Sequence, residues 1–398
     1  MKKHYLKFYP VGNGDQTLIV LTDETTILVD CNIRQESVGS TDPLMYDVKK
    51  DLLKSVKLRD GNPFVDVFIL THGDQDHCRG FKTHFYQGDP KKYSEKNRKA
   101  KEIIVDEMWF SPMIAEKHDN DDERVYQEEA ERRLELHRKE SPDKDLPGNR
   151  IKIVGYDGSK DYADLNRLRA IPGTVVTVFN NKPSQNFSMF IHAPFKEHLQ
   201  SAEKDKNTTS IVFQTRFKAL PNSTNEYYAM FGGDSDHYSW KIILEKTMKY
   251  GNDVRENALL WDILLSPHHC SWSFFNDRPY SDHTTAEASA LQVLEYGRED
   301  AFVIASSKKI IDDNDNPPHY PAKQEYVEKV GKGNFLNTAT EPDEAKPQPI
   351  IFSINENGLL REPNGPTEEE EQKAKAALIL ATSGVIKKPW AGNAEFGE

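Results

Sequence analysis

At 398 residues, 37% of them hydrophobic and 29% charged, the chain has material for one large domain with insertions or for two average ones. No run approaches the roughly 20 apolar residues that span a bilayer, and the opening MKKHYLKFYPVGNGD lacks the apolar stretch and cleavage site of a signal peptide. The net charge of −12 argues against broad electrostatic capture of nucleic acid, while leaving room for a local basic groove.

Three β-rich stretches come first: HYLKFYPV (4–11), QTLIVLT (16–22) and TTILVDC (25–31). The turn signals GNGD and DET separate them, as in an antiparallel meander. Residues 44–57 carry apolar positions at helical spacing. PFVDVFILT (63–71) reads as a fully buried strand and runs directly into HGDQDHCRG. The most charged stretches are 90–100 and 115–146, with a strand expected between them in KEIIVDEMWFSP (101–112). Within the second, residues 123–140 read as a solvated amphipathic helix. Together they make a charged surface insertion at about 90–146, with docking of a protein partner as its other reading. Strands resume with RIKIVGYD, GTVVTVFNN, SMFIHAPF, TSIVFQTRF and YYAMFGGD. A helix over 240–250, a buried strand over 259–267 and a helix over 286–296 follow, and AFVIASS and PIIFSINENGL complete the strands. Residues 361–398 read as a tail with one helix, whose acidic first turn suits the helix dipole. This order predicts an α+β protein, a four-layer αββα sandwich over residues 1–360. The three cysteines, Cys31, Cys78 and Cys270, form no paired framework, which points to a reducing compartment and a cytoplasmic location.

The chemistry is concentrated where the buried strand ends. His72, Asp74, Asp76 and His77 place four ligand-type side chains within six residues. Imidazole and carboxylate together suit zinc or another divalent transition metal such as manganese. Three further strand ends carry donors: Asp234 after YYAMFGG, His268 and His269 after WDILLSP, and Asp30 closing TTILVD. Asp30 is placed to hold the ligand loop by hydrogen bonds from behind.

In this order the motifs resemble the metallo-β-lactamase superfamily, and within it the branch that includes the hydrolase domain of the ComEC competence protein. The resemblance rests on Val11-Gly12-Asn13-Gly14-Asp15, the strand ending in Asp30, and His72 to His77 followed by Gly80. It continues through Asn207 and Ser210, Gly233-Asp234, His268-His269-Cys270-Ser271, and Asn316-Pro317-Pro318-His319. Asp74 stands where the wider superfamily has a second histidine, Cys270 replaces a glycine, and Cys31-Asn32 replaces another. Cys270 reads as a small space-filling residue, with a soft ligand as the alternative. The membrane channel and the OB-like domain of that competence protein have no counterpart, so a role in DNA uptake does not carry over.

The resemblance implies two divalent ions, zinc or manganese, and a metal-activated water. His72 and Asp74 would hold one ion, Asp76 and His77 the other, with Asp234 bridging and one of His268 and His269 completing the second. Since neighbouring residues leaving a strand point apart, both histidines are not expected as ligands. The first ion then lacks an evident third ligand. His192 is a candidate for it, and reads equally well as a structural histidine at a strand end. Asp76 or Asp234 would orient the attacking water, and His319 would contact substrate or protonate the leaving oxygen. Asn207, Ser210 and Lys308 would contact phosphate or order the loops. The implied activity is that of a phosphodiesterase or nuclease acting on nucleic acid or another phosphodiester. Hydrolysis of a small ester, thioester, lactone or nucleotide is the second reading, and a partner-binding regulatory protein the third.

Overall fold

The computed structural model of the chain describes residues 3–112, 120–155, 162–196, 206–249 and 257–363. The expected tail helix lies outside them. The opening meander forms as read: β1 (His4–Phe8), β2 (Thr17–Val20) and β3 (Thr26–Val29) pair antiparallel, with Leu6 opposite Ile19 and Leu18 opposite Leu28. After α1 (Val48–Ser55) and the short β4 (Lys57–Arg59) comes β5 (Asn62–Ile69), buried along its whole length. Two short helices, α2 (Gln75–Cys78) and α3 (Phe81–His84), and then α4 (Glu95–Ala100) lead to β6 (Ile104–Phe110). The long α5 (Asp121–Arg138) precedes β7 (Arg150–Val154) and β8 (Arg169–Ala170). With β18 (Ile350–Asn355) and β19 (Gly358–Arg361), these strands make a ten-stranded sheet in the order β19-β18-β1-β2-β3-β5-β6-β7-β8, β4 pairing with β5.

The expected strand in GTVVTVFNN is broken. Val175–Val176 is β9, while Val178–Phe179 and Lys182–Pro183 are β10 and β11 of a separate hairpin. A second sheet of seven strands takes β9, β12 (Phe187–Ala193), β13 (Val212–Phe217), β14 (Tyr227–Phe231), β15 (Trp261–Leu265), β16 (Gly297–Ala305) and β17 (Phe335–Asn337). Its helices are α6 (His237–Lys249), α7 (Ala288–Glu295) and α8 (Tyr320–Val330). The protein is therefore mixed α and β.

One apolar core holds residues of both sheets, among them Leu6, Ile27, Val67 and Ile69 from the first and Met189, Phe213, Phe231 and Leu265 from the second. A second core joins Phe68 and Leu70 to α1 and α5 through Leu52, Tyr126, Ala130 and Leu134. A third joins Leu264 and Val303 to α6, α7 and α8 through Trp240, Ile243, Val293 and Tyr326. β5 supplies Val67 and Ile69 to one core and Phe68 and Leu70 to another, which is why it reads as an unbroken apolar run.

The helix at 121–138 is not the solvated surface element its composition implies. Tyr126, Ala130 and Leu134, at intervals of four, are fully buried against the sheet. Its buried charges are paired within the helix: Glu129 binds Arg133 at 2.7 Å, and Arg133 donates to the carbonyls of Val105 and Arg150, each at 2.9 Å. Charge-rich sequence thus conceals a buried face. Among the described residues, no helix is long and apolar enough to cross a membrane.

Candidate metal centre

The two sheets meet the site with the carboxyl ends of parallel strands, where side-chain clusters in such sheets gather. β3 and β5 run parallel and end at Asp30 and His72; β14 and β15 run parallel and end before Asp234 and His268. The amide of Ile211 donates to the carbonyl of Thr71 (2.8 Å), tying one sheet's end to the other's.

Asp234 is the centre of the cluster, 2% exposed. Its Oδ2 lies 3.4 Å from His72 Nε2 and 3.6 Å from His268 Nε2, and Asp74 Oδ2 approaches the same His72 nitrogen at 3.7 Å. Its Oδ1 lies 3.0 Å from His77 Nε2 and 3.6 Å from His269 Nε2, and Asp76 Oδ2 is 3.2 Å from that His269 nitrogen. Each oxygen of one carboxylate therefore serves its own set of donors. Asp74, Asp76 and His268 keep 36%, 31% and 21% of their side chains exposed, so the cluster opens to solvent on that side.

Both histidines of the pair reach Asp234, against the expectation that only one would. The reason is backbone conformation. His268, His269 and Cys270 take φ of 51°, 56° and 67°, three successive left-handed residues, which cancels the alternation of an extended chain. Each such residue costs about 1–2 kcal/mol relative to right-handed geometry, a strain of the kind that collects at functional sites.

Hydrogen bonds behind the donors fix their orientation. Asp30 is fully buried and accepts from Thr71 N, Thr71 Oγ1 and His77 Nδ1 at 2.7, 2.7 and 2.8 Å. A proton on His77 Nδ1 leaves Nε2 to face Asp234. His268 Nδ1 bonds to Ser273 Oγ (2.8 Å), and His269 Nδ1 lies 3.1 Å from the Ser306 carbonyl. Ser210 Oγ accepts the amide of Asp234 (3.2 Å), the ordering role expected of it, while Asn207 supplies the carbonyl that accepts Ser210 N. The ligand loop itself is braced by the start of α5. Asn120 donates to the Gly73 carbonyl (2.9 Å) and Gln75 to Asp122 (2.8 Å). Gly73 must be glycine, because a Cβ there would lie 2.0 Å from Glu123 Oε1. Asn120 also caps the helix by accepting Glu123 N (2.8 Å). Asn120→Ala is expected to cost about 1–2 kcal/mol of stability, read from urea midpoints.

The electrostatics fit a cation. Burial would lower the pKa of His77, but Asp234 and Asp30 raise it well above the usual histidine range. Burial likewise opposes the charge on His269, and Asp234, Asp15 and Asp76 raise it to about 10. Without a cation, two protonated rings would thus face each other with Nε2 atoms 3.1 Å apart. His72 Nε2 and Asp234 Oδ1 are meanwhile buried without a hydrogen-bond partner. Donors about 2.0–2.2 Å from a tetrahedral ion lie roughly 3.3–3.6 Å from one another, close to the spacings above. These buried His and Asp groups could hold a metal ion.

Not every expected residue joins them. His192 is buried at the far end of β12, where its Nε2 bonds to the Ala258 carbonyl (2.8 Å). That is the structural histidine of the two readings. His319 sits beside the pair, its amide donating to the Cys270 carbonyl (2.9 Å) and its ring against Trp272 and Tyr280. Lys308 lies at the rim; its amide donates to Asn13 Oδ1 (3.0 Å) and its ammonium pairs with Asp315. Cys270 is buried in the third core, as a space-filling residue would be. Two contributors were not expected as donors or supports. Asp15, whose Oδ1 is 3.5 Å from His269 Nδ1, closes the VGNGD motif and was legible there; Ser273 had no sequence signal. Asp30→Asn is expected to weaken metal affinity about 10–100-fold with little loss of stability, measured by competition with a chromophoric chelator. Compared with known protein families and with curated proteins, the chain matches none.

Proposed function

We propose that the chain is a metal-dependent hydrolase of the metallo-β-lactamase type, a four-layer αββα sandwich that cleaves phosphodiesters and takes nucleic acid as its substrate class. The observation that carries this reading is the Asp234 carboxylate, buried with one oxygen toward His72 and His268 and the other toward His77 and His269. Two divalent ions, zinc or manganese, would be held there. His72, Asp74, His268 and Asp234 would hold one, and Asp76, His77, His269 and Asp234 the other. The imidazole and carboxylate donor set suits either metal. Bound ions of this kind lower the pKa of a coordinated water towards 7 and draw charge from a phosphoryl oxygen.

The chain's own groups do the rest. Asp30 holds His77 in one tautomer, and Ser210 fixes Asp234 between the donor sets. Asp76, on the open side, is placed to accept the proton of the attacking water. Burial holds His319 below the usual histidine range, so near neutrality it is uncharged and suits contact with substrate better than proton donation. We place the protein in the cytoplasm, where three buried, unpaired cysteines stay reduced.

The test is elemental analysis of chain purified without chelator, joined to a cleavage panel. The panel comprises single-stranded DNA, RNA, plasmid, bis(p-nitrophenyl) phosphate and an acyl ester, each with manganese or zinc. The reading expects about two ions per chain and cleavage of phosphodiesters. Ester turnover without phosphodiester cleavage would move the assignment to a small substrate. A metal content near zero that added metal does not raise would end both hydrolase readings.

A further inference from the structure

Arg34 and Arg79 approach each other beside the ligand cluster. After Asp30 the chain runs alongside the ligand loop, with Cys31 N donating to the His77 carbonyl (2.8 Å) and Ile33 N to the Arg79 carbonyl (2.9 Å). This pairing brings Arg34 to the same edge as Arg79, and both are half-buried. Neither guanidinium has an ion-pair or hydrogen-bond partner among the described residues, and Arg34 Nε is buried without one. Burial and the charge of Arg79 both disfavour the Arg34 cation, while the acidic groups that favour it are Glu36 and the ligand Asp76. Asn32 Oδ1, two residues before Arg34, is also buried and unpartnered.

The surroundings form a cleft. About 400 Å³ of space opens over Arg34, lined by Gly12, Asn32, Leu44, Met45 and Lys308 among others. Gly12 lets the guanidinium lie against the backbone, since a Cβ there would be 2.4 Å from Arg34 Nη2. Leu44 and Met45 are 60% and 41% exposed and give the cleft an apolar lip. Lys308 is already paired with Asp315. The uncompensated charge is therefore that of the two arginines.

Half-buried cations that repel each other lose hydration without gaining a partner. An anion with several acceptor oxygens restores the balance, and the planar guanidinium fork matches phosphate. We propose that Arg34 and Arg79 form a phosphate-binding subsite beside the metal centre. It would hold the phosphate next to the one cleaved in a nucleic-acid strand, with a base or sugar over Leu44 and Met45. The strand assignment rests on the hydrolase reading; the phosphate site does not.

The experiment measures binding apart from cleavage. A fluorescein-labelled phosphorothioate oligothymidylate is titrated into metal-loaded full chain and followed by anisotropy, and inorganic pyrophosphate is titrated by calorimetry. For the R34A/R79A variant, with an unchanged far-ultraviolet spectrum, the oligonucleotide should bind at least about tenfold more weakly. The slope of log K against log salt should flatten by about 1–2, one per lost phosphate contact. The R34K/R79K variant should recover part of the affinity. Binding of pyrophosphate alone, lost in R34A/R79A, would overturn the strand in favour of a nucleotide's terminal phosphates. Wild-type chain that binds neither probe, or a variant within twofold of wild type on both, would overturn the subsite. An oligonucleotide bound through these arginines but never cleaved in its phosphodiester form would retire the hydrolase reading and leave the subsite standing.

Discussion

Exchange of Asp234 for asparagine is expected to lower hydrolysis of bis(p-nitrophenyl) phosphate by at least about a thousandfold and to strip metal from the chain. The substitution keeps volume and shape, so the buried site should pack as before. It replaces a carboxylate with one acceptor oxygen and one NH₂ group. Whichever way the amide turns, its NH₂ faces either His72 and His268 or His77 and His269, and that set loses its shared anion. The attraction that holds charge on His77 and His269 weakens as well. Ser210→Ala is the comparison, since it removes only the hydroxyl that accepts the Asp234 amide and leaves every donor in place. It should reduce activity far less. Elemental analysis and initial rates check both. An asparagine variant with wild-type metal content and a rate within tenfold of wild type would sink the central role given to Asp234.

The parts of this site that were legible in the sequence are those that sit at strand ends. A buried strand running into His72-Gly73-Asp74-Gln75-Asp76-His77 is readable because burial and donor chemistry switch at one residue. Asp30 and Asp234 are readable for the same reason, each closing an apolar run. The joint use of His268 and His269 was not legible, because it depends on three left-handed residues, and His and Cys carry no signal for that conformation as glycine would. Helix α5 was located, but its role was misread. Glu129, Arg132 and Arg133 satisfy one another on its buried side, so composition alone describes a surface. α8 and β17 were not read at all. The first begins in a proline-rich stretch at Tyr320-Pro321, where proline at the first turn starts a helix but also reads as a loop. The second has only three residues, too few to show alternation.

The stability of the fold should fall steeply with acid, for a reason separate from the metal centre. His4 and His192 are 0% and 1% exposed, and burial holds each at a pKa of about 4. In His4 a hydrogen bond to the Lys218 carbonyl and the charge of Asp23 oppose that shift only in part; in His192 a bond to the Ala258 carbonyl opposes it and Arg216 adds to it. Each ring uses Nε2 on its carbonyl, at 2.9 and 2.8 Å, and each Nδ1 is buried with no partner. Protonation would place a second N–H in apolar surroundings, beside Phe217 for His4 and Phe190 for His192. The unfolded chain takes up these protons near pH 6.5, the ordinary histidine value, whereas the folded chain resists them down to about 4. Stability is therefore complete above about pH 6.5 and lost as pH falls towards 4, at about 2 kcal/mol per histidine between pH 7.5 and 5.0. In metal-free chain, the raised values of His77 and His269 act in the opposite sense, favouring the fold as protons bind. The measurement is accordingly a difference between variants at the same metal load. Urea midpoints at the two pH values should show His4→Gln and His192→Gln each losing about 2 kcal/mol less than wild type over this range, because glutamine can donate to the same carbonyl and does not titrate. Parallel loss in all three chains would mean that these rings already share their charge with water in the folded state.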